Sequence, residues 1–304
     1  MKINFLIKGV FYSFLASLFW GLVQPLFFNN IKYIPALEVV SHRAIWSFFF
    51  LSFAVVIFGK INEFILIFKN TRKTLLLFIT GILICVNWSL FIISITLDRV
   101  QDASMGYFIT PMISIALGYF FLNEKLSLLK IISIFLMLSA IIYLIISLNS
   151  FPFIAILIGT TWGVYGFLRK QVNVSSEIGL LYESFIITLF ATPYLIYLNL
   201  DGSGFFLNYS TSTSFFLILA GLVTIFPLFF FNRGLKFIPL GFAGVLFYLA
   251  PSFHFITSIF ILNERLNLHK LFSFIIIWIA VIIFIFDFFK EERKSIESNT
   301  QLLN

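Results

Sequence analysis

Apolar residues run along the whole chain in blocks of about 20, parted by short polar breaks. Ten blocks can be read, at 8–28, 35–58, 74–97, 100–121, 128–147, 151–168, 178–198, 214–232, 239–262 and 268–288. As a helix, each is long enough to cross a hydrocarbon core of about 30 Å. The blocks are continuous rather than alternating and about twice the length of a barrel strand, so helices are predicted and not a barrel. The breaks carry helix-stopping residues: Asn29, Asn30 and Pro35; Asn149, Ser150 and Pro152; Asp201 to Gly204 with the Ser/Thr run 210–214. The expected fold class is an all-α polytopic membrane protein with ten transmembrane helices.

A repeat organises these blocks. The stretch YFITPMISIALGYFFLNEKLSLLK (107–130) returns at a shift of 140 as FYLAPSFHFITSIFILNERLNLHK (247–270). Pro111 falls on Pro251, and Asn123, Glu124 and Lys130 fall on Asn263, Glu264 and Lys270. At a shift of 142, Phe19-Trp20-Gly21-Leu22 parallels Thr161-Trp162-Gly163-Val164. Such self-similarity predicts that one half of the chain was built like the other. The expected units are a five-helix repeat at 1–149, a second at 150–289, and a cytoplasmic tail at 290–304.

Charge adds orientation. Of the 20 Lys and Arg residues, 15 fall on one predicted side, including Lys2, Lys8, Lys60, Lys125, Arg169, Arg233 and Lys290. By the positive-inside bias that side is cytoplasmic, as are both termini. Five spans per half is an odd number, so the halves must be inverted relative to each other, the arrangement used by secondary transporters. The composition agrees: 61% of residues are hydrophobic and only 11% charged, too apolar for a soluble domain of this length. The basic balance therefore signals orientation and no nucleic-acid partner. The apolar run from Gly9 to Phe28 is too long for a signal peptide and lacks a small-residue cleavage site, so a retained first span is expected.

Polar groups deep within a span are costly, about 2.5–3.5 kcal/mol for a charge, which makes each a functional candidate. In span two, Glu38, His42 and Trp46 are spaced four apart and share a helical face. Arg43 lies about 12 Å past Pro35 at the 1.5 Å helical rise, too deep for easy snorkelling. The group is either substrate-facing or proton-carrying, or a structural ion pair of Glu38 with Arg43 or with a neighbouring helix. Glu183 in span seven sits at a shift of 141 from His42 and could pair with Arg43 or His42, or take up protons. Asn87 and Trp88 fall in the middle of span three, and Asn232 ends span eight; their amides either bind substrate or glue helices. Tyr107 and Tyr248 flank Pro111 and Pro251, each of which should kink or interrupt its helix and turn freed carbonyls into a protected cavity. His254 could line the same cavity. Trp20 and Trp162 each precede a glycine, which argues for close helix packing at Gly21 and Gly163. Asp98 and Asp102 read as a solvated outer turn, and Asp287 as an interfacial anchor beside Lys290.

Other chemistries find no footing. The histidines His42, His254 and His269 form no ligand-spaced pair, the single Cys85 excludes a disulfide framework, and no metal, phosphate-loop or nucleophile motif is present. No metal, no cofactor and no enzymatic activity are expected. A channel lacks a filter-like loop.

Several segments resemble the RarD branch of the EamA-type drug/metabolite transporters: SHRAIWSFFF (41–50), NWSLF (87–91), DASMGYFITP (102–111), FLNEKL (121–126), GVYGFLRK (163–170) and FIIIWIAVIIF (274–284). They span nearly the whole chain. Thr110 departs from the pattern, where Asn is expected before the proline. The resemblance implies ten helices in two inverted EamA repeats in a bacterial inner membrane, moving small molecules without a cofactor. The expected function is a secondary-active exporter of metabolites or drugs by alternating access, with the lipid bilayer, a small-molecule substrate and protons as partners. The alternatives are a non-transporting scaffold or receptor and an intramembrane transferase.

Overall fold

The computed structural model describes residues 2–96, 100–148, 153–261 and 266–301. The sequence features at Asp98, Arg99, Asn149, Ser150, Pro152, Asn263, Glu264 and Arg265, and the side chain of Asp102, lie outside what it describes. The first span is α1 (Lys2–Leu18), a π-helical turn (Phe19–Val23) and α2 (Gln24–Asn29). There follow α3 (Ala36–Ile57), the short α4 (Ile61–Phe68), α5 (Thr71–Thr96), α6 (Val100–Leu122) and α7 (Leu128–Leu148). The second half holds α8 (Phe153–Gln171), α9 (Ser176–Asp201), α10 (Thr211–Gly234), α11 (Leu240–Phe247), α12 (Leu249–Phe260) and α13 (Leu268–Gln301). No strand occurs among the described residues.

Eight segments among the described residues are long and apolar enough to cross a membrane, from Asn4–Asn29 to Leu268–Lys294. The chain is a multi-pass membrane protein. Two of the ten expected spans, α6 and α8, are helical but do not reach that standard. The described apolar part of α6 is only Gly106–Leu122. α8 has a Thr160-Thr161-Trp162-Gly163 centre and ends on Arg169 and Lys170, which dilutes its apolar character. Large apolar side chains such as Phe49, Phe53, Ile146 and Phe190 point outward, as lipid rather than water as the neighbour allows.

Helix neighbours come in matched sets. α1 packs on α10 as α8 packs on α5, and α3 packs on α10 as α9 packs on α5. The first span meets α12 as α8 meets α6, while α3–α9, α6–α11 and α7–α13 are also paired. Tight packing is confirmed at both repeated glycines. A Cβ on Gly21 would lie 2.3 Å from the Ala250 carbonyl oxygen, and one on Gly163 would lie 2.5 Å from Ile113. Only a side chain reduced to hydrogen lets these helices approach so closely.

The prolines behave differently from one another. α6 runs through Pro111, whereas α11 gives way to α12 at Tyr248, three residues before Pro251. Pro25 and Pro227 lack the N–H that would reach the carbonyls of Gly21 and Val223. Neighbouring helices answer both: Thr257 donates to the Gly21 carbonyl at 3.0 Å, and Gln24 to that of Val223 at 3.2 Å.

One boundary is corrected. The loop expected after span two contains α4, whose Phe64 and Phe68 stack near Tyr182 and Phe185 of α9. α13 continues past residue 290 to Gln301, where Lys, Glu and Arg residues are good helix formers. Asp287 is not an anchor beside Lys290. It is buried and accepts a hydrogen bond from Ser127, tying α13 to the start of α7.

Candidate functional site

α3 carries two separate polar surfaces. Glu38, His42 and Trp46 face the loop between α9 and α10. The Glu38 carboxylate accepts backbone N–H groups from Phe205 at 2.7 Å and Phe206 at 3.2 Å. The His42 ring lies 4.8 Å from that of Phe206, and Trp46 lies 6.1 Å from it. The alternative of a Glu38–Arg43 ion pair is therefore not realised. Five residues on an α-helix amount to about 140° of rotation, which turns Arg43 away from Glu38. His42 Nδ1 and Trp46 Nε1 are buried and meet no hydrogen-bond partner among the described residues.

Arg43 points into the interior and is 4% exposed. Its Nε donates to Thr224 Oγ1 of α10 at 2.9 Å. Thr224 is held in turn by its bond to the Ala220 carbonyl at 2.7 Å. The guanidinium lies 4.5 Å from the Trp88 ring of α5 and 4.8 Å from the Phe28 ring of α2. Four elements thus converge on one cation. Beside it, Trp88 and Thr224 border a cavity of about 10 Å³ that also touches Ser47, Glu183 and Ser184. That is room for no more than about one water molecule.

Glu183 of α9 has a different partner from the two expected. Its Oε1 lies 3.4 Å from Nε of Arg169, both side chains being 2% exposed. Thr80 of α5 donates to it at 2.7 Å, and the Tyr165 hydroxyl at 3.3 Å. Asn232 closes the ring, donating to Tyr165 at 2.8 Å and accepting from Arg169 at 3.2 Å. Two buried charges and three polar side chains bond to one another, as low-dielectric burial favours, and one terminal nitrogen of Arg169 meets no partner among the described residues. Arg169, counted among the basic residues of the predicted cytoplasmic side, is buried. A signal for it existed: Trp162, Tyr165 and Arg169 recur at i, i+3 and i+7, one face of a helix. Thr80 and Thr224 left no such trace, since lone threonines are common in apolar helices.

The remaining candidates bind helices together. Asn87 donates to the Ile158 carbonyl and to Thr161, both at 2.9 Å, joining α5 to α8. Tyr248 donates to the Phe108 carbonyl of α6 at 2.9 Å, spanning the break between α11 and α12. Tyr107 rests on Phe91 and Phe247. His254 lies on α12, where its backbone nitrogen abuts Gly21. Trp20 and Trp162 meet edge to face at 5.1 Å, with Phe231 and Phe247 around them. No cluster of three or more metal-type ligands occurs among the described residues.

The arrangement is a lipid-embedded helix bundle with buried charges at its centre. The model of the EamA-like transporter family matches it twice, over residues 7–146 and 150–286. The chain belongs to the EamA-like transporter family. It is 34% identical over 294 residues, 95% of this chain and 97% of the relative, to a Bacillus subtilis protein named "Uncharacterized transporter YojE". It is 29% identical over 288 residues to "Protein RarD" of Escherichia coli, covering 95% and 97% of the two chains. A Pseudomonas aeruginosa relative at 22% identity, over 91% and 93% of the two chains, is named "Chloramphenicol-sensitive protein RarD". A solved crystal structure shares the fold at a TM-score of 0.70 and 13% sequence identity, covering 90% of this chain and 95% of its own. The boundary between the two EamA matches falls between α7 and α8. The Arg43 environment draws on both sides of it, and so does the Glu183 ring.

Proposed function

We propose that the protein is a secondary-active transporter that moves small molecules across a bacterial inner membrane by alternating access. Ten helices would be arranged as two inverted five-helix repeats with both termini in the cytoplasm, α6 and α8 completing the eight clearly apolar spans. The observation that carries this reading is the matched set of helix neighbours, in which the largest contacts within the bundle have counterparts after exchange of the halves. A bundle of that kind can rock between two related states around residues at its centre. The charge asymmetry of the loops supports the orientation. Arg43, with Trp88 and Thr224, is the proposed substrate contact, and the cavity of about 10 Å³ beside it fits a closed form of the site.

The proposed energy source for export is a proton gradient or exchange, with Glu183 as the carboxyl group that borders the same cavity. The test is flux into and out of proteoliposomes holding the purified chain, with and without a pH gradient. Accumulation of an unmodified compound that follows the gradient is expected. No flux of any compound under any gradient would point to a scaffold or receptor, and chemical change of the compound to a transferase.

A further inference from the structure

Of the three buried cations among the described residues, Arg43, Lys130 and Arg169, only Arg43 has no described carboxylate within ion-pair distance. Arg169 has Glu183, Lys130 has Glu291, and Glu38 accepts two backbone N–H groups. Asp287 accepts from Ser127. Arg43 is as buried as these, yet no described carboxylate lies within ion-pair distance. It spends one donor on Thr224, and its terminal nitrogens bond to no described residue. A guanidinium carries five donors in a planar fork. The Phe28 and Trp88 rings interact with the cation without using those donors. What is left is an edge shaped to receive two oxygens of one planar anion.

We infer that Arg43 binds the carboxylate of an organic acid with an apolar body, the acid serving as the counter-ion that no described residue supplies. This rests on the transporter reading and names its substrate class. Burial of an unpaired cation is costly, and a mobile anion relieves that cost only while it is bound. The body of the acid is matched by aromatic surface close by. Tyr107 packs on Phe91, one helical turn along α5 from the Trp88 that meets Arg43, and its ring leads through Phe247 to Trp20 and Trp162. A cationic substrate would meet repulsion at this point, and a neutral one would leave the fork unfilled.

The experiment uses the full chain in detergent and a matched set of probes: 3-phenylpropionate, its amide and 3-phenylpropylamine, with the same three head groups on an indole body. Binding is read by thermal stabilisation and by tryptophan fluorescence. The acids are expected to bind at least tenfold more tightly than the amides, and Arg43→Gln to erase that difference. Thr224→Val serves if Arg43→Gln does not fold: loss of the hydroxyl that holds Nε should alter acid affinity several-fold and leave amide affinity unchanged. Equal binding of acid and amide, an acid preference that survives Arg43→Gln, acid affinity unmoved by Thr224→Val, or no binding by any acid would each overturn the inference. Flux separates it from the broader reading. Transport of a neutral or cationic compound that persists in Arg43→Gln removes the acid class and leaves a transporter. Acid binding at Arg43 with no flux in proteoliposomes leaves the site and removes transport.

Discussion

The indole of Trp20 meets the indole of Trp162 edge to face, with ring centres 5.1 Å apart. The two residues hold matching places in the two halves, each followed by a glycine that seats its helix against another. The internal repeat thus becomes a physical contact, with one half touching the other through equivalent residues. Trp162 has further aromatic neighbours in Tyr165, Phe231 and Phe247. Trp162→Ala is expected to lose about 3–5 kcal/mol, the cost of emptying a large aromatic site, and Trp162→Phe much less. Thermal unfolding in detergent checks this. Equal melting of wild type and Trp162→Ala would show that the contact contributes nothing.

The ion pair of Arg169 and Glu183 yields an asymmetric expectation. Removing Arg169 alone leaves a buried carboxylate without its cation, at about 3–5 kcal/mol, whereas removing both charges together is far milder. Arg169→Met should therefore be less stable than the double variant Arg169→Met, Glu183→Met. A single variant as stable as the double one would contradict the pairing.

Transport separates the two buried arginine sites. Arg43→Ala and Glu183→Gln are both expected to abolish flux while the proteins still express. Glu183→Gln should act by loosening the Arg169–Tyr165–Asn232 ring, and so should also lower the melting temperature. Wild-type flux in either variant would remove that residue from the site. His42→Ala with unchanged flux and unchanged pH dependence would remove any coupling role for His42, whose ring here packs on Phe206.

Glu124 makes a local prediction. From the turn after α6, its two carboxylate oxygens accept the first N–H groups of α11, from Leu240 at 2.5 Å and Gly241 at 2.8 Å. Donors at a helix start have no partner within the helix, and a carboxylate there also meets the positive end of the helix dipole. Glu124→Ala should cost about 1–3 kcal/mol and speed amide hydrogen exchange at residues 240 and 241. Exchange unchanged at these positions would show that the contact does not hold α11.

Gly21 tests helix approach. A methyl group there would collide with the backbone of α12, at 2.3 Å from the Ala250 oxygen. Gly21→Ala should sharply lower the yield of folded protein. Gly202→Ala meets open space but has a left-handed backbone, with φ of 70°, and should cost only about 1 kcal/mol. Similar yields from the two would refute the packing argument.

Much was decided by the order of residues alone. Apolar blocks of membrane length must become helices, because in lipid each backbone group needs an internal partner. The repeat at 107–130 and 247–270 and the depth of Arg43 follow from counting positions. The Asn-Glu turn was legible as a duplicated element, although not that Glu124 reaches across to α11. What the tertiary structure decided was partnership. Glu38 seeks a loop backbone 167 positions away, Arg43 a threonine 181 positions away, and Asn232 a tyrosine 67 positions away. A helix shows in sequence which residues share its face, but not which neighbour that face will meet. For a buried charge the neighbour is everything, since attraction falls with distance and the dielectric is low. Arg169 could thus be counted with the basic residues of the cytoplasmic side until α9 was seen to lie against it, and Arg43 could be given Glu38 until the turn of α3 set them apart.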